Sequence, residues 1–231
     1  MKIAILSDIH GNFLSLKAVI KEIKLKKITK IVCLGDYINY YYEPDKCIDL
    51  LRSINAKCIM GNHDSILPIS LNKKKFIYYE ERYGSSVKLN NQILKKSHLQ
   101  FLKKLKKKII LKIDNLKIIF AHGSPWNLNT YIYANFNDKI RNRLKKYHAD
   151  FIFLGHTHIP MSKKINKKTS IINTGSVGQP RNGSKNALWA ILNTKNKKVQ
   201  FMETKYNHKK LINDIKKYGD SKKIFNKYFL N

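Results

Sequence analysis

Apolar runs and amphipathic stretches alternate along the first sixty residues. Lys2–Ser7 is an apolar run closed by a polar turn, as expected of a strand buried on both faces. Phe13–Lys27 carries Phe13, Leu16, Ile20 and Ile23 at helical spacing with lysines between them. A second strand is predicted at Lys30–Leu34, a loop at Gly35–Pro44, a short helix at Asp45–Ile54 and a third strand at Lys57–Met60. Strands separated by helices predict an α/β fold with a parallel sheet and right-handed crossovers.

From about 64 to 106 the strand pattern gives way to a helical one, with Phe76, Tyr79, Tyr83 and Val87 on one face. This segment reads as a helical insert, either a cap over the mouth of a site or a packing element. Strand patterns return at Ile109–Ile113 and Leu116–Ala121, with Asp114-Asn115 as the turn between them. A helix is predicted over Phe136–Tyr147 and strands over Asp150–Leu154, Ile159–Lys164, Thr169–Asn173, Ala187–Asn193 and Lys197–Glu203. The last pair reads as a hairpin through Thr194–Asn196, and the stretch from Tyr206 to 231 as helical. Without repeats or a linker, residues 1–231 are expected to form a single domain.

Polar residues cluster where the predicted strands end. The clusters are Asp8-Ile9-His10-Gly11-Asn12, Gly35-Asp36, Gly61-Asn62-His63-Asp64, Ala121-His122-Gly123 and Gly155-His156-Thr157-His158. Ligands of open α/β sheets bind at the carboxyl ends of strands, so five such ends can converge on one site. Any one cluster is better explained as a turn or a helix cap, a role open to Asp8 and Asn12. Capping does not explain all five together. Asp8, Asp36, Asn62, His10, His122, His156 and His158 make an oxygen and nitrogen ligand set without thiolate. It suits Mn²⁺, Fe, Co, Ni or Zn²⁺, with Mn²⁺ favoured, and it is too large for one first-row ion. Two ions about 3.5–4 Å apart, sharing a carboxylate, would clamp the attacking and leaving oxygens of a phosphate ester.

These motifs, in this order, resemble those of the calcineurin-like metallophosphoesterase superfamily. His122-Gly123-Ser124-Pro125 and the segment Asn173–Arg181 are similar to its small prokaryotic phosphodiesterase and phosphatase branch. The resemblance implies a four-layer αββα sandwich and a hydrolase whose nucleophile is a metal-bridging hydroxide; short apolar runs and the lack of a signal-peptide pattern read as cytoplasmic. It places Asp8, His10 and His158 on the first metal, Asn62, His122 and His156 on the second, and Asp36 between them. His63 takes the place of a histidine that contacts phosphate and protonates the leaving oxygen. Asn12 and Arg181 are the expected substrate contacts. Gly35-Asp36 is followed by Tyr37-Ile38-Asn39-Tyr40, without the Arg or second Asp of the phosphoprotein phosphatases and related diadenosine tetraphosphatases.

Composition refines this picture. The chain has 46 Lys and Arg against 15 Asp and Glu, a formal charge of +31 that attracts anionic substrates, and the small phosphate esters the resemblance implies, nucleotide-type above all, are the expected partners. Only five basic residues are Arg, the side chain suited to bidentate phosphate and base contacts, and the lysines are scattered. Compositional drift toward Lys therefore outweighs nucleic acid as the explanation. A nuclease or RNA-end phosphatase is the second reading, and a metal-bearing scaffold without catalysis the third. No run is long enough to span a bilayer, so no membrane partner is expected. Cys33, Cys47 and Cys58 lack metal spacing and read as reduced thiols. The tyrosines at 37, 40, 41 and 42 read as packing first and as a stacking surface for a base second.

Overall fold

The computed structural model describes residues 1–66 and 72–219. The apolar pattern of the first strand, β1 (Lys2–Leu6), decides the layering. Ile3 and Ile5 point one way and Ala4 and Leu6 the other, and all four are fully buried. A strand with period-two side chains and no exposed face must be covered on both sides. Ala4 and Leu6 pack under α1 (Phe13–Leu25), α2 (Pro44–Ser53) and α5 (Lys96–Lys104) through Leu16, Ile48 and Leu102. Ile3 and Ile5 meet Ile118, Phe120 and Phe153 of a second sheet.

The first sheet runs β10-β9-β1-β2-β3, with β2 (Lys30–Cys33) and β3 (Lys57–Cys58) parallel to β1. On its other side β9 (Ala187–Asn193) and β10 (Lys198–Thr204) form an antiparallel pair. The second sheet runs β4-β5-β6-β8-β7. Its centre, β5 (Leu116–Ala121), β6 (Phe151–Leu154) and β8 (Ser170–Asn173), is parallel, and β4 (Lys108–Ile113) and β7 (Met161–Lys164) are antiparallel edges. Its outer face carries α6 (Asp138–Lys145) through Leu144. The result is two mixed sheets flanked by helices, the four-layer sandwich expected from the sequence. No described helix is long and apolar enough to cross a membrane.

The insert consists of α3 (Lys73–Tyr83), α4 (Ser86–Ile93) and α5, while residues 67–71 of the expected stretch lie outside the described residues. Tyr83 and Val87 join Tyr40, Tyr41, Tyr42 and Leu211 of α7 (His208–Lys217) in an apolar cluster. His98 ties α5 to α2 through Asp49, 3.1 Å away. Of the expected C-terminal helix, 220–231 lies outside the described residues.

Candidate metal centre

The carboxyl ends of β1, β2, β5 and β6 and the loop after β3 meet at one end of the sandwich. Asp8, His10, Asp36, Asn62, His63, His122, His156 and His158 are all at most 9% exposed. Close approach of the loops requires glycine. A Cβ on Gly155 would lie 1.9 Å from Ser7 Oγ and 2.6 Å from Asp8 Oδ2. Gly155→Ala is therefore expected to cost about 1–3 kcal/mol from overpacking and to weaken metal uptake. Denaturant unfolding and metal content of the purified variant test this; parental values for both would remove the steric argument.

The loops also bend against their preference. Asp8, His10, Asp36, Asn39, Tyr40, His156 and His158 have positive φ, between 53° and 69°. Such backbone costs L-residues energy and survives only where the surroundings impose it.

Three groups of ligand atoms lie within 4.8 Å of one another: Asp8, His10 and His158; Asp36, His122 and His156; and His10, Asp36 and His63. Backbone carbonyls aim the rings. The Nδ1 atoms of His10, His122 and His158 donate to Ile38, Leu34 and Gln179 carbonyls at 3.1, 2.8 and 2.6 Å. Each ring therefore turns its Nε2 inward, an acceptor whenever that ring is neutral, the arrangement that orients metal-binding histidines.

The centre is consequently oversupplied with lone pairs. The Nε2 atoms of His10 and His158 face each other at 3.2 Å, and Asn62 Oδ1 lies 2.9 Å from His122 Nε2. Two acceptors at these distances repel unless a proton or a cation sits between them. Asp36 Oδ2 and His156 Nε2 are buried without a hydrogen-bond partner, although His122 Nε2 is 3.2 Å from that oxygen. This donor-poor, acceptor-rich cage fits divalent cations.

The electrostatics agree. Burial opposes charge on His122, but Asp36 and Asp8 outweigh it and raise its pKa to about 9, so a proton occupies part of the cage in the metal-free protein. Burial alone would raise Asp8, yet His158 and His122 hold it below the usual carboxylate range. Asp36 is likewise depressed by His122 and His63 against burial. Burial lowers His156 and His63 to about 4, so both are neutral bases or donors at neutral pH.

His63 stands beside the cage rather than only within it. Its backbone N–H donates to Asp36 Oδ1 at 2.8 Å, and its Nδ1 accepts from the Asn39 amide at 3.1 Å. Asn90 of α4 donates to Asn39 Oδ1 at 2.7 Å, which fixes that amide's orientation. Neutral His63 thus carries its proton on Nε2. Sequence reasoning gave no role to Asn39, Asn90 or Asp64. The Asp64 carboxylate accepts three backbone N–H groups, from Asp36, Tyr37 and Gly61, at 2.7–2.8 Å and so braces the Asp36 loop.

The two expected substrate contacts differ in their surroundings. Both amide functions of Asn12 are engaged inside the protein: Oδ1 caps α1 at Ser15 N, and Nδ2 donates to Gly178 O and Tyr206 Oη. Arg181 lies near the cage, where its charge helps to depress His63, and it donates to Gln179 Oε1 at 3.0 Å. Tyr37, Tyr40, Tyr41 and Tyr42 are all buried; Tyr37 Oη donates to the Cys33 and Ile59 carbonyls. The run packs inside the protein, and Tyr40, 8% exposed, stands edge-on to His10 with centroids 4.8 Å apart.

A two-sheet sandwich with an acid–histidine cage at the strand ends defines a metal-dependent hydrolase type of scaffold. Residues 1–197 match the calcineurin-like phosphoesterase superfamily domain, and the chain belongs to that superfamily. An uncharacterised protein of Methanocaldococcus jannaschii is 33% identical, over 93% of this chain and 92% of its own. The crystal structure of a metallophosphoesterase from Sphaerobacter thermophilus superposes with a TM-score of 0.77 at 25% identity, covering 95% of each chain. A hypothetical protein from Pyrococcus horikoshii shares the fold more closely, with a TM-score of 0.86 at 22% identity, over 98% of this chain and 97% of that one.

Proposed function

We propose that the chain hydrolyses phosphate esters, diesters and small nucleotide-type esters foremost, with two divalent cations as cofactors. Asp8, His10 and His158 would hold one and Asn62, His122 and His156 the other, with Asp36 shared. The observation that carries this reading is the surplus of inward-facing acceptors, above all the opposed Nε2 atoms of His10 and His158. When bound, such ions supply Lewis-acid activation of water and neutralise phosphate charge.

The remaining work falls to the chain. His63, neutral and carrying its proton on Nε2 through Asn39, donates a hydrogen bond from that atom to the departing ester oxygen and stabilises the negative charge that develops there, solvent supplying the proton once the group has left. Arg181 adds positive charge on the same side and attracts the phosphate. The burial of the cage strengthens each of these electrostatic contacts by excluding water.

Chelator-treated protein is expected to be inert toward bis(p-nitrophenyl) phosphate and to regain turnover with Mn²⁺. Persistent inactivity of metal-loaded protein across monoester and diester panels would favour the scaffold reading instead. The +31 charge motivates the nuclease reading, which requires RNA binding that weakens steeply with salt; absent or salt-insensitive binding removes it.

A further inference from the structure

The loop after His122 presents two exposed rings beside the cage. Tyr131 and Tyr133 are 47% and 45% exposed, while Ile132 between them is 2% exposed and packs with Ile119, Ala121 and Leu154. Ile132 takes the buried place between them, and both tyrosines are left facing outward. Their rings are nearly parallel, 8° apart with centroids 6.0 Å from one another. Tyr131 also lies against the His156 imidazole, with centroids 3.9 Å apart. The rings therefore lead from the cage outward.

The loop is held in place. Leu128 and Thr130 carbonyl oxygens sit 2.2 and 2.9 Å from where a Cβ of Gly123 would be, so the chain folds back onto that glycine. Lys163 Nζ donates to the Ala134 carbonyl just beyond Tyr133. A clamped loop presents its aromatic faces at little ordering cost to a ligand.

We propose that Tyr131 and Tyr133 form an aromatic platform for the planar organic group of the ester bound at the cage, and that this group is a nucleobase. The proposal rests on the phosphoesterase reading and narrows its substrate class. A nucleotide holds its base one sugar away from its phosphate, and Tyr131 lies in direct contact with the His156 ring of the cage, so a base on the platform stays within that span. Every base has a π-face for such a ring, and the phenol hydroxyls can bond its polar edge. The tyrosines at 37 and 40–42 are at most 8% exposed and present no comparable open face.

Two chromogenic esters that share a leaving group test the platform: thymidine 5′-(p-nitrophenyl phosphate) and methyl p-nitrophenyl phosphate. Their ratio of kcat/KM is expected to fall about tenfold in Tyr131→Ala, near the low end of the contribution of one stacked base, and to persist in Tyr131→Phe. Damage to His156 would lower both rates and leave the ratio. An unchanged ratio in Tyr131→Ala and in a Tyr131→Ala/Tyr133→Ala double variant overturns the proposal. Binding gives a readout free of catalysis. Saturation-transfer NMR on the metal-free protein should show AMP held through its base protons and more tightly than ribose 5-phosphate, with the preference lost in Tyr131→Ala. Equal binding of AMP and ribose 5-phosphate by the parent overturns the platform. Preferential AMP binding by a protein inert toward both esters sustains it and counts against the hydrolase reading alone.

Discussion

Exchanging Asp36 for Asn is expected to cut Mn²⁺-dependent hydrolysis of bis(p-nitrophenyl) phosphate by more than about 10³-fold, the scale on which preorganised charge in a two-ion clamp acts. Asp36 Oδ2 lies 3.2 Å from His122 Nε2 and 3.7 Å from His10 Nε2, so this one oxygen borders both ligand sets. Metal per chain should fall below that of the parent. The variant should still fold. Its amide keeps an acceptor for the His63 N–H, and its NH₂ offers hydrogen to a centre crowded with lone pairs. Melting in chelator should therefore be close to parental or higher. Parental turnover by a correctly folded Asp36→Asn protein would end the two-ion proposal.

The second large effect concerns the leaving group. His63→Gln should slow release of alkoxide leaving groups by about 10²–10³-fold, the scale of one displaced hydrogen-bond donor at a developing negative charge. Release of p-nitrophenolate, which needs little help from an acid, should change far less. Asn39→Leu should move the same way by a smaller amount, because it frees His63 to take the other tautomer without deleting it. Asn90→Leu should follow weakly through Asn39. A uniform loss across leaving groups in all these variants would assign His63 to ground-state binding instead of stabilising the leaving oxygen.

The sequence was most legible where local chemistry and tertiary structure agree. Asp114 and Asn115 both take positive φ, 49° and 61°, as a two-residue hairpin turn requires, and both are residue types that tolerate it. The strand following the turn has the boundaries expected from its apolar run, Leu116–Ala121. Helix α6 is shorter than its amphipathic pattern, because Asn137 caps it at Ile140 N while Phe136 is drawn into the core under the second sheet. Strand β3 stops at Cys58, since the backbone beyond it turns to Lys106, where Met60 N donates to the Lys106 carbonyl. Neither effect is local, so neither shows in a window of residues.

The same distinction runs through the site. The motif residues could be found because each sits at the end of a recognisable strand. The contacts that surround them join distant positions: Asn90 to Asn39 across 51 residues, and Tyr131 to His156 across a helix and a strand. The conspicuous tyrosines at 40–42 are covered by α3, α4 and α7. The less conspicuous Tyr-Ile-Tyr at 131–133 keeps its rings in solvent because Ile132 takes the buried place.

Seven consecutive-looking but scattered bends, at Asp8, His10, Asp36, Asn39, Tyr40, His156 and His158, turn the backbone to the left-handed side. No short peptide would choose that shape unaided. A synthetic Asp8–Asn12 or Gly155–His158 fragment should therefore relax to ordinary extended forms and grip cations no better than free histidine does. Transplanting these motifs into another scaffold would carry the letters without the geometry: the grip is a property of the two sheets.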